Sequence, residues 1–215
     1  MFNRFLTSGL VAAAAAVMAP KSEIKFLYNF RNKTSSPPNS ADNWWESSDT
    51  VRKQGMSKAV FQLQTTQVYQ RGVVFVLLNP QPNGAGFAGV KTNIEGEDLT
   101  GFTGFEVLAR GRGLENWKIV LTHKMEAVDP LVNYEGFFKL DSQSLELQNI
   151  RIPFRDIKPY FRGREVKDVP DLDPAAISTF GLQAYGGVYE TEKQSGSGSM
   201  EIDYIAVYKQ TDHSS

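Results

Sequence analysis

Short runs in which apolar and polar residues alternate recur along most of this chain, and they constrain its fold more than any other feature. Successive side chains of a β-strand point to opposite faces, so this period predicts strands with one buried face. Clusters of Gly, Pro, Asn and Ser separate the runs at residues 34–40, 79–86 and 194–199. Short strands divided by turn residues are typical of an all-β sandwich or barrel. The apolar residues that share one parity in three of the clearest runs are Ile24, Phe26, Tyr28 and Phe30; Phe105, Val107 and Ala109; and Met200, Ile202, Tyr204 and Ala206.

Three segments depart from simple alternation. Residues 73–78 form a continuous apolar run, which predicts a strand that is buried on both faces. Pro153 cannot donate a hydrogen bond to a neighbouring strand, so its strand should end there or lie at a sheet edge. Asp173 and Pro174 have the pattern of a helix N-cap followed by the first helical position, and they predict one short helix.

The 215 residues fit one sizeable domain, and no repeat or internal linker divides the alternating runs. We expect a single β-sandwich domain over residues 23–209 and a flexible polar tail over residues 210–215. Residues 1–22 have the pattern of a targeting segment, because Arg4 precedes an uncharged, alanine-rich stretch. A mitochondrial presequence and a secretory signal cleaved after Ala19 both fit this segment. The glycosylation sequon at Asn32 matters only if the chain is secreted.

Composition narrows the chemistry. The chain has no cysteine, which removes disulfides, thiolate metal sites and a cysteine nucleophile, and its two histidines exclude a multi-histidine metal site. No glycine-rich loop precedes a helix as a phosphate site requires, and a net charge of −1 gives no general attraction for nucleic acid. We predict no cofactor, no metal, no catalytic residue and no nucleic-acid partner. Glu135, which lies beside Tyr134, is the most site-like carboxylate of a glycosidase type.

Basic and aromatic residues around Gly163 form the first candidate binding surface. Such a mixture can grip an acidic partner, RNA or lipid headgroups. Acidic residues are interleaved with it, so a solvated loop with local salt bridges explains the pattern equally well. Exposed tryptophans can stack on sugar rings, whereas a buried one would fill the end of the core, and we expect at least one to be buried. The candidate partner-binding residues are Trp44, Trp45, Arg112, Tyr160, Phe161, Arg162 and Arg164.

Three charged residues are predicted to have structural roles. Asp203 lies in the middle of an apolar run, so its carboxylate needs a buried partner if that strand is central. Arg110 is the candidate partner, and a structural ion pair is favoured over catalysis. Asp49 belongs to the motif series that carries the following resemblance.

An ordered series of short motifs resembles the complex I intermediate-associated protein 30 family. No single motif is specific, and the specificity lies in their order from about residue 26 to about residue 208. In chain order, the motifs are Phe26-Leu27-Tyr28-Asn29-Phe30, Trp45, Ser48-Asp49, Gly55-Met56-Ser57, Phe61, Gly86-Phe87-Ala88, Asp98-Leu99-Thr100-Gly101-Phe102, Arg110-Gly111 with Gly113, Ile152-Pro153-Phe154, Arg162-Gly163-Arg164, Leu172-Asp173, Ile177, Phe180-Gly181-Leu182 and Glu201-Ile202-Asp203-Tyr204-Ile205.

The resemblance implies a jelly-roll sandwich similar to galactose-binding-like and carbohydrate-binding domains. It also implies a mitochondrial chaperone without catalytic residues, in the matrix or on the inner membrane. Its partners would be assembly intermediates of respiratory complex I, with peripheral membrane contact. A second hypothesis is a secreted carbohydrate-binding module, because the N-terminus is signal-like, the chain has the Asn32 sequon and the fold is a sandwich. A carboxylate-based hydrolase is the third hypothesis.

Overall fold

Two antiparallel β-sheets pack face to face in a computed structural model of the chain, which describes residues 23–31, 40–82, 86–124 and 132–210. The predicted targeting segment, the Asn32 sequon and the tail beyond residue 210 lie outside the described residues. The strands are β1 (Glu23–Asn29), β2 (Trp44–Ser48), β3 (Lys58–Thr65), β4 (Gln70–Leu78), β5 (Phe87–Asn93), β6 (Gly104–Arg112), β7 (Asn116–His123), β8 (Asn133–Lys139), β9 (Gln148–Pro153), β10 (Lys158–Phe161), β11 (Arg164–Glu165), β12 (Ile177–Tyr185) and β13 (Gly196–Lys209). Single 3-10 turns occur at Ala41–Asn43, Asp49–Val51 and Phe154–Asp156.

The first sheet has the strand order β3-β4-β13-β6-β9, with β1 also paired to β13. The second sheet has the order β11-β10-β8-β7-β12-β5-β2. Apolar side chains of the two inner faces meet in one core and remove their surface from water, which is the main favourable term in folding. This architecture confirms the predicted all-β sandwich. The largest fully buried side chains include Trp117, Tyr134, Phe30, Phe105, Phe180, Ile119 and Leu121.

Two β-bulges change the side-chain parity that the sequence predicts. In β13 the register shifts between Ile202 and Tyr204, so Ile205 and Val207 enter the core and Tyr204 lies on the outer face. In β1 the register shifts beside Phe26, which is 41% exposed, while Leu27 is buried. One extra residue in a strand exchanges its two faces, so the predicted parity is wrong after the bulge in β13. In β1 it is wrong before the bulge, at Phe26, whereas Tyr28 and Phe30 beyond it pack against or within the core as predicted.

Strand β4 was predicted to be buried on both faces, and the structure corrects this. Its side chains alternate, with Val74, Val76 and Leu78 in the core and Phe75 and Leu77 exposed by 42% and 51%. An antiparallel sheet needs only one covered face, and apolar side chains on the other face do not by themselves bury it.

The remaining local predictions have mixed outcomes. Pro153 ends β9, which is an edge strand of the first sheet, so that prediction is confirmed. The predicted helix at Asp173 is wrong, because its carboxylate accepts from Ala175 N and its carbonyl from Ala176 N in a turn that does not continue. Within the described ranges, no helix is long and apolar enough to cross a membrane.

Candidate functional site

The outer face of the second sheet carries an open cleft of about 460 Å³. Side chains of β8, β7, β12 and β5 form its floor, because outward-facing residues of neighbouring strands lie in register across the sheet. The segment from Ser47 to Arg52 forms one wall. The β10–β11 hairpin and residues 187–190 form the other.

A buried ion pair lies at the floor of this cleft. Lys118 Nζ on β7 donates to Glu135 Oε2 on β8 at 2.7 Å, and the two side chains are 9% and 6% exposed. The same ammonium lies 5.9 Å from the ring centroids of both Phe87 and Phe137, within the range of a cation–π contact. A buried charge requires such a partner, so neither member of the pair is free to act as a lone acid or base.

An amide bridge crosses the floor on the side of β2. Gln183 Nε2 on β12 donates to Ser47 Oγ at 2.9 Å and passes over Gly89, which lies between them on β5. A Cβ atom at Gly89 would lie 1.9 Å from Leu182 O and 2.7 Å from Gln183 Cγ. Glycine is therefore required at this position for the amide to reach Ser47.

Three aromatic rings form a strip along the side of the cleft near β10. The ring of Phe137 lies edge-on to Tyr160 and to Tyr185, with centroid distances of 5.3 Å and 5.2 Å. Burial, followed by the nearby carboxylates of Glu190 and Glu135, raises the pKa of Tyr185. Burial and neighbouring carboxylates raise the pKa of Tyr160 in the same way. Both phenols therefore keep their protons at neutral pH and can donate hydrogen bonds to a ligand.

The β10–β11 hairpin turns tightly at the rim of the cleft. Arg162 and Gly163 both have positive φ, at 52° and 78°, as the two central residues of a type I′ hairpin turn require. The guanidinium of Arg162 lies 5.1 Å from the ring of Phe161, and that of Arg164 lies 4.9 Å from the ring of Tyr189. The hairpin therefore presents its cations beside aromatic faces, in contact with the loop after β12.

Four of the seven predicted partner-binding residues lie at or beside the cleft, and the other three do not. Tyr160, Phe161 and Arg162 line the cleft, and Arg164 lies next to it. Trp45 is 43% exposed on β2, where Lys91 Nζ lies 5.8 Å from its ring, at the end of the sheet opposite the hairpin.

Trp44 and Arg112 lie apart from the cleft. Trp44 is buried and stacks on Phe61 at 4.7 Å, so the prediction that at least one tryptophan is buried is confirmed. Arg112 lies on the other sheet and donates to the carbonyls of Ser142 and Ser144. Its guanidinium holds the loop before β9, so the structure does not group it with the hairpin arginines.

Asp203 is buried on the first sheet, but its predicted partner is wrong. Its two carboxylate oxygens lie 2.8 Å from Arg31 Nε and from Arg71 Nε. Arg110 instead lies 2.6 Å from Glu201 Oε2. The bulge after Ile202 turns Asp203 away from β6, where Arg110 is located, towards β1 and β4.

Asp49 closes the turn before β3. Its carboxylate accepts from Ser57 N at 2.9 Å and from Ser57 Oγ at 2.8 Å, and its side chain is fully buried. A Cβ at Gly55 would collide with the Asp49 carbonyl at 1.9 Å, so the glycine and the aspartate act together. This geometry agrees with a structural role for Asp49.

Within the residues that the structure describes, His123 has a structural environment and does not join acidic side chains in a metal site. His123 Nε2 accepts from Asp173 N at 3.3 Å, and its ring stacks on Tyr134. Burial, opposed by Asp173, lowers the pKa of His123, so the ring is neutral at pH 7. Among the residues that the structure describes, no group of three acidic or histidine side chains is placed to hold a metal ion.

Sequence reasoning missed most of the cleft floor. Glu135 was singled out, but its partner Lys118 was not, since nothing in the local pattern pairs β7 with β8 at that position. Lys91, Gln183 and Tyr185 each occupy an outward position of a strand. Polar and aromatic residues at such positions on the central strands were the available signal.

The chain matches one protein family by sequence. The profile of the family described as Complex I intermediate-associated protein 30 matches residues 28–202. No curated protein sequence matches the chain.

Solved structures with a similar fold include carbohydrate-binding modules. The family 11 carbohydrate-binding module of a cellulosomal cellulase of Clostridium thermocellum has a TM-score of 0.63 and 14% identity, over 90% of this chain and 98% of that one. A family 11 module from Clostridium thermocellum in complex with a β-1,3-1,4-mixed-linked tetrasaccharide has a TM-score of 0.62 and 15% identity, over 88% and 98% of the two chains. An agarase has a TM-score of 0.53 and 11% identity, over 87% of this chain and 25% of that one. Similarity at such identities shows a shared fold alone.

Proposed function

The chain belongs to the Complex I intermediate-associated protein 30 family, and from this premise we propose that it is a non-catalytic assembly factor that binds intermediates of respiratory complex I in mitochondria. The family match over residues 28–202 is the observation that carries the proposal. Membrane-arm intermediates are the expected partners, with peripheral contact to the inner membrane.

The hairpin side of the cleft is the surface that we propose for this partner. Phe161 and Tyr189 are exposed by 36% and 55%, and each lies under an arginine guanidinium. Aromatic residues and arginine are enriched in protein interfaces, because both bury large areas while keeping directional contacts. The buried pair of Lys118 and Glu135 supports binding rather than acid–base chemistry at the floor.

Deletion of the gene tests the assembly role. We expect less mature complex I and more of a subassembly on native gels, with recovery when the wild-type chain is supplied. The double variant Arg162→Gln/Arg164→Gln should rescue poorly, whereas Lys167→Gln/Lys209→Gln, which removes two exposed charges outside the cleft lining, should rescue fully. Normal complex I in the deletion strain would overturn the proposal.

The place of the chain in the cell provides an independent check. A C-terminally tagged full-length chain should be recovered from mitochondria with a trimmed N-terminus. Recovery from the medium, with cleavage after Ala19 and a glycan on Asn32, would contradict the mitochondrial role and favour secretion.

A carbohydrate-binding function is the second candidate, and the aromatic strip of Tyr160, Phe137 and Tyr185 favours it. Flat rings beside hydrogen-bonding groups suit a sugar, which has apolar ring faces and a polar rim. The similar family 11 module binds a β-1,3-1,4-mixed-linked tetrasaccharide, and that ligand is the first to test by calorimetry. Binding that is lost in Phe137→Ala would support this function, and no binding to any sugar would remove it.

A further inference from the structure

The charges that line the cleft differ in sign from the net charge of the chain. Four basic and two acidic side chains line it, which gives the lining a charge of +2, while the whole chain carries −1. A cleft whose lining has a net positive charge attracts ligands of negative charge. The lining residues that carry charge are Arg52, Lys91, Lys118, Arg162, Glu135 and Glu190.

Three of the four cations are not neutralised within the cleft. Lys118 is paired with Glu135, so these two cancel. In the described part of the chain, Arg52, Lys91 and Arg162 form no ion pair with any acidic side chain. They lie on both sides of the cleft, with Arg52 on the wall beside β2 and Arg162 on the opposite hairpin. A ligand that spans the cleft would therefore meet a cation at each end.

The floor favours a hydroxyl-rich ligand over an extended peptide. β8, β7, β12 and β5 are central strands whose backbone groups already pair with neighbours, so a peptide cannot join the sheet as an added strand. The floor instead offers side-chain donors and acceptors close to the aromatic strip. Thr122 Oγ1 and Thr179 Oγ1 share a hydrogen bond of 2.6 Å, and Gln183 donates to Ser47, so a ligand would use the remaining hydrogen-bonding capacity of these groups. Asn133 also lines the cleft. Hydroxyl, amide and ring groups are all present in the lining, and they match the groups that a sugar presents.

We propose that the cleft binds an anionic oligosaccharide, one that carries carboxylate or sulfate groups, with Arg52, Lys91 and Arg162 selecting it over neutral sugars. This inference rests on the second proposed function and adds the charge of the ligand to it. The aromatic strip supplies the stacking surface that any sugar would use, and the three cations supply the selection.

Calorimetry on the full-length chain tests the proposal with four probes: tetragalacturonate, a sulfated galactan tetrasaccharide, the neutral β-1,3-1,4 tetrasaccharide and a tetraglutamate peptide. We expect at least one anionic sugar to bind about tenfold or more tightly than the neutral one at low salt. The preference should shrink as NaCl rises from about 0.01 M to about 1 M, because the Debye length falls from about 30 Å to about 3 Å.

Two charge-matched variants identify the residues responsible. Arg52→Gln/Lys91→Gln/Arg162→Gln should remove the preference for the anionic sugar, with an unchanged far-UV spectrum and melting temperature. Lys53→Gln/Lys167→Gln/Lys209→Gln removes the same number of charges outside the lining and should keep it. Phe137→Ala should weaken every sugar that binds.

Other results would show whether the charge selection, the carbohydrate function or the location of the site is wrong. Equal affinity for the neutral sugar would overturn the charge selection and leave the carbohydrate function standing. Binding of tetraglutamate alone would overturn both and favour an acidic polypeptide partner. An anionic sugar that binds equally to the cleft variant and the control variant would place its site elsewhere and overturn the proposal.

Discussion

Lys118 Nζ and Glu135 Oε2 lie 2.7 Å apart at the floor of the cleft, on adjacent strands and almost completely removed from water. The two charges cancel, so this pair adds no net charge to the cleft. It neutralises the central cation and leaves three cations, Arg52, Lys91 and Arg162, and one carboxylate, Glu190, as the charges that a ligand meets.

Replacing only one member of this pair should destabilise the protein more than replacing both. We expect Lys118→Met to lower the free energy of unfolding by about 3 kcal/mol, because it leaves Glu135 buried without a partner. The double variant Lys118→Met/Glu135→Leu should recover most of that loss, since neither charge remains. Urea unfolding measures both. Lys139→Met, at the exposed pair with Glu192, is the control and should have no measurable effect. A double variant no more stable than the single one would contradict this account.

Alanine substitutions at two adjacent leucines on β4 should have very different effects on stability. Leu78 is 1% exposed and Leu77 is 51% exposed, although both belong to the same apolar run. Leu78→Ala should cost about 2–5 kcal/mol of stability through lost burial and a residual cavity. Leu77→Ala should cost under about 1 kcal/mol, because its side chain already contacts water. Chemical denaturation of the two variants measures the difference, and similar costs would mean that a partner or a second copy covers the outer face.

A double-mutant cycle tests which arginine forms an ion pair with Asp203. We expect Asp203→Asn and Arg71→Met to couple by about 1–3 kcal/mol, as residues in direct contact do. Asp203→Asn and Arg110→Met should couple by under about 0.5 kcal/mol, because Arg110 pairs with Glu201. Unfolding free energies of the singles and doubles supply both numbers. The opposite ranking would restore the pairing that the sequence predicts.

Glu46 should make the free energy of unfolding depend on pH. Burial acts to raise its pKa, but hydrogen bonds from Lys58, Ser48 and Ala59 N outweigh burial and hold the pKa of Glu46 below the ordinary value of a glutamate. A depressed folded pKa contributes stability above the unfolded pKa, and that contribution is lost as pH falls through the folded value. The stability gap between wild type and Glu46→Gln should therefore be larger at about pH 7 than at about pH 3. A gap that grows on acidification would refute this sign.

The turn of the β10–β11 hairpin should tolerate glycine but not a branched residue. Arg162 and Gly163 both have positive φ, and a Cβ at Gly163 would lie 3.3 Å from the ring of Tyr189. Gly163→Val should cost about 1–3 kcal/mol and speed amide exchange in the hairpin. Arg162→Gly should leave exchange unchanged or slower, because it removes strain along with a charge. Faster exchange in Arg162→Gly would show that the guanidinium holds the hairpin.

Local pattern was sufficient for the fold class. Period-two alternation and turn clusters predict an all-β sandwich or barrel, and the backbone chemistry of Pro153 predicts the end of an edge strand. These features depend only on neighbours in the chain, because side-chain direction in a strand and the missing donor of proline are local properties.

Only the tertiary structure decided which faces and which partners these residues have. A bulge after Ile202 exchanges the two faces of β13. As a result, Asp203 pairs with Arg31 and Arg71 and not with Arg110, the partner that the sequence predicts. The cleft gathers Lys91, Lys118, Glu135 and Gln183 from separate strands. Register between strands is fixed by hydrogen bonds and packing among residues far apart in sequence, so the alternation within any one strand carries no information about it.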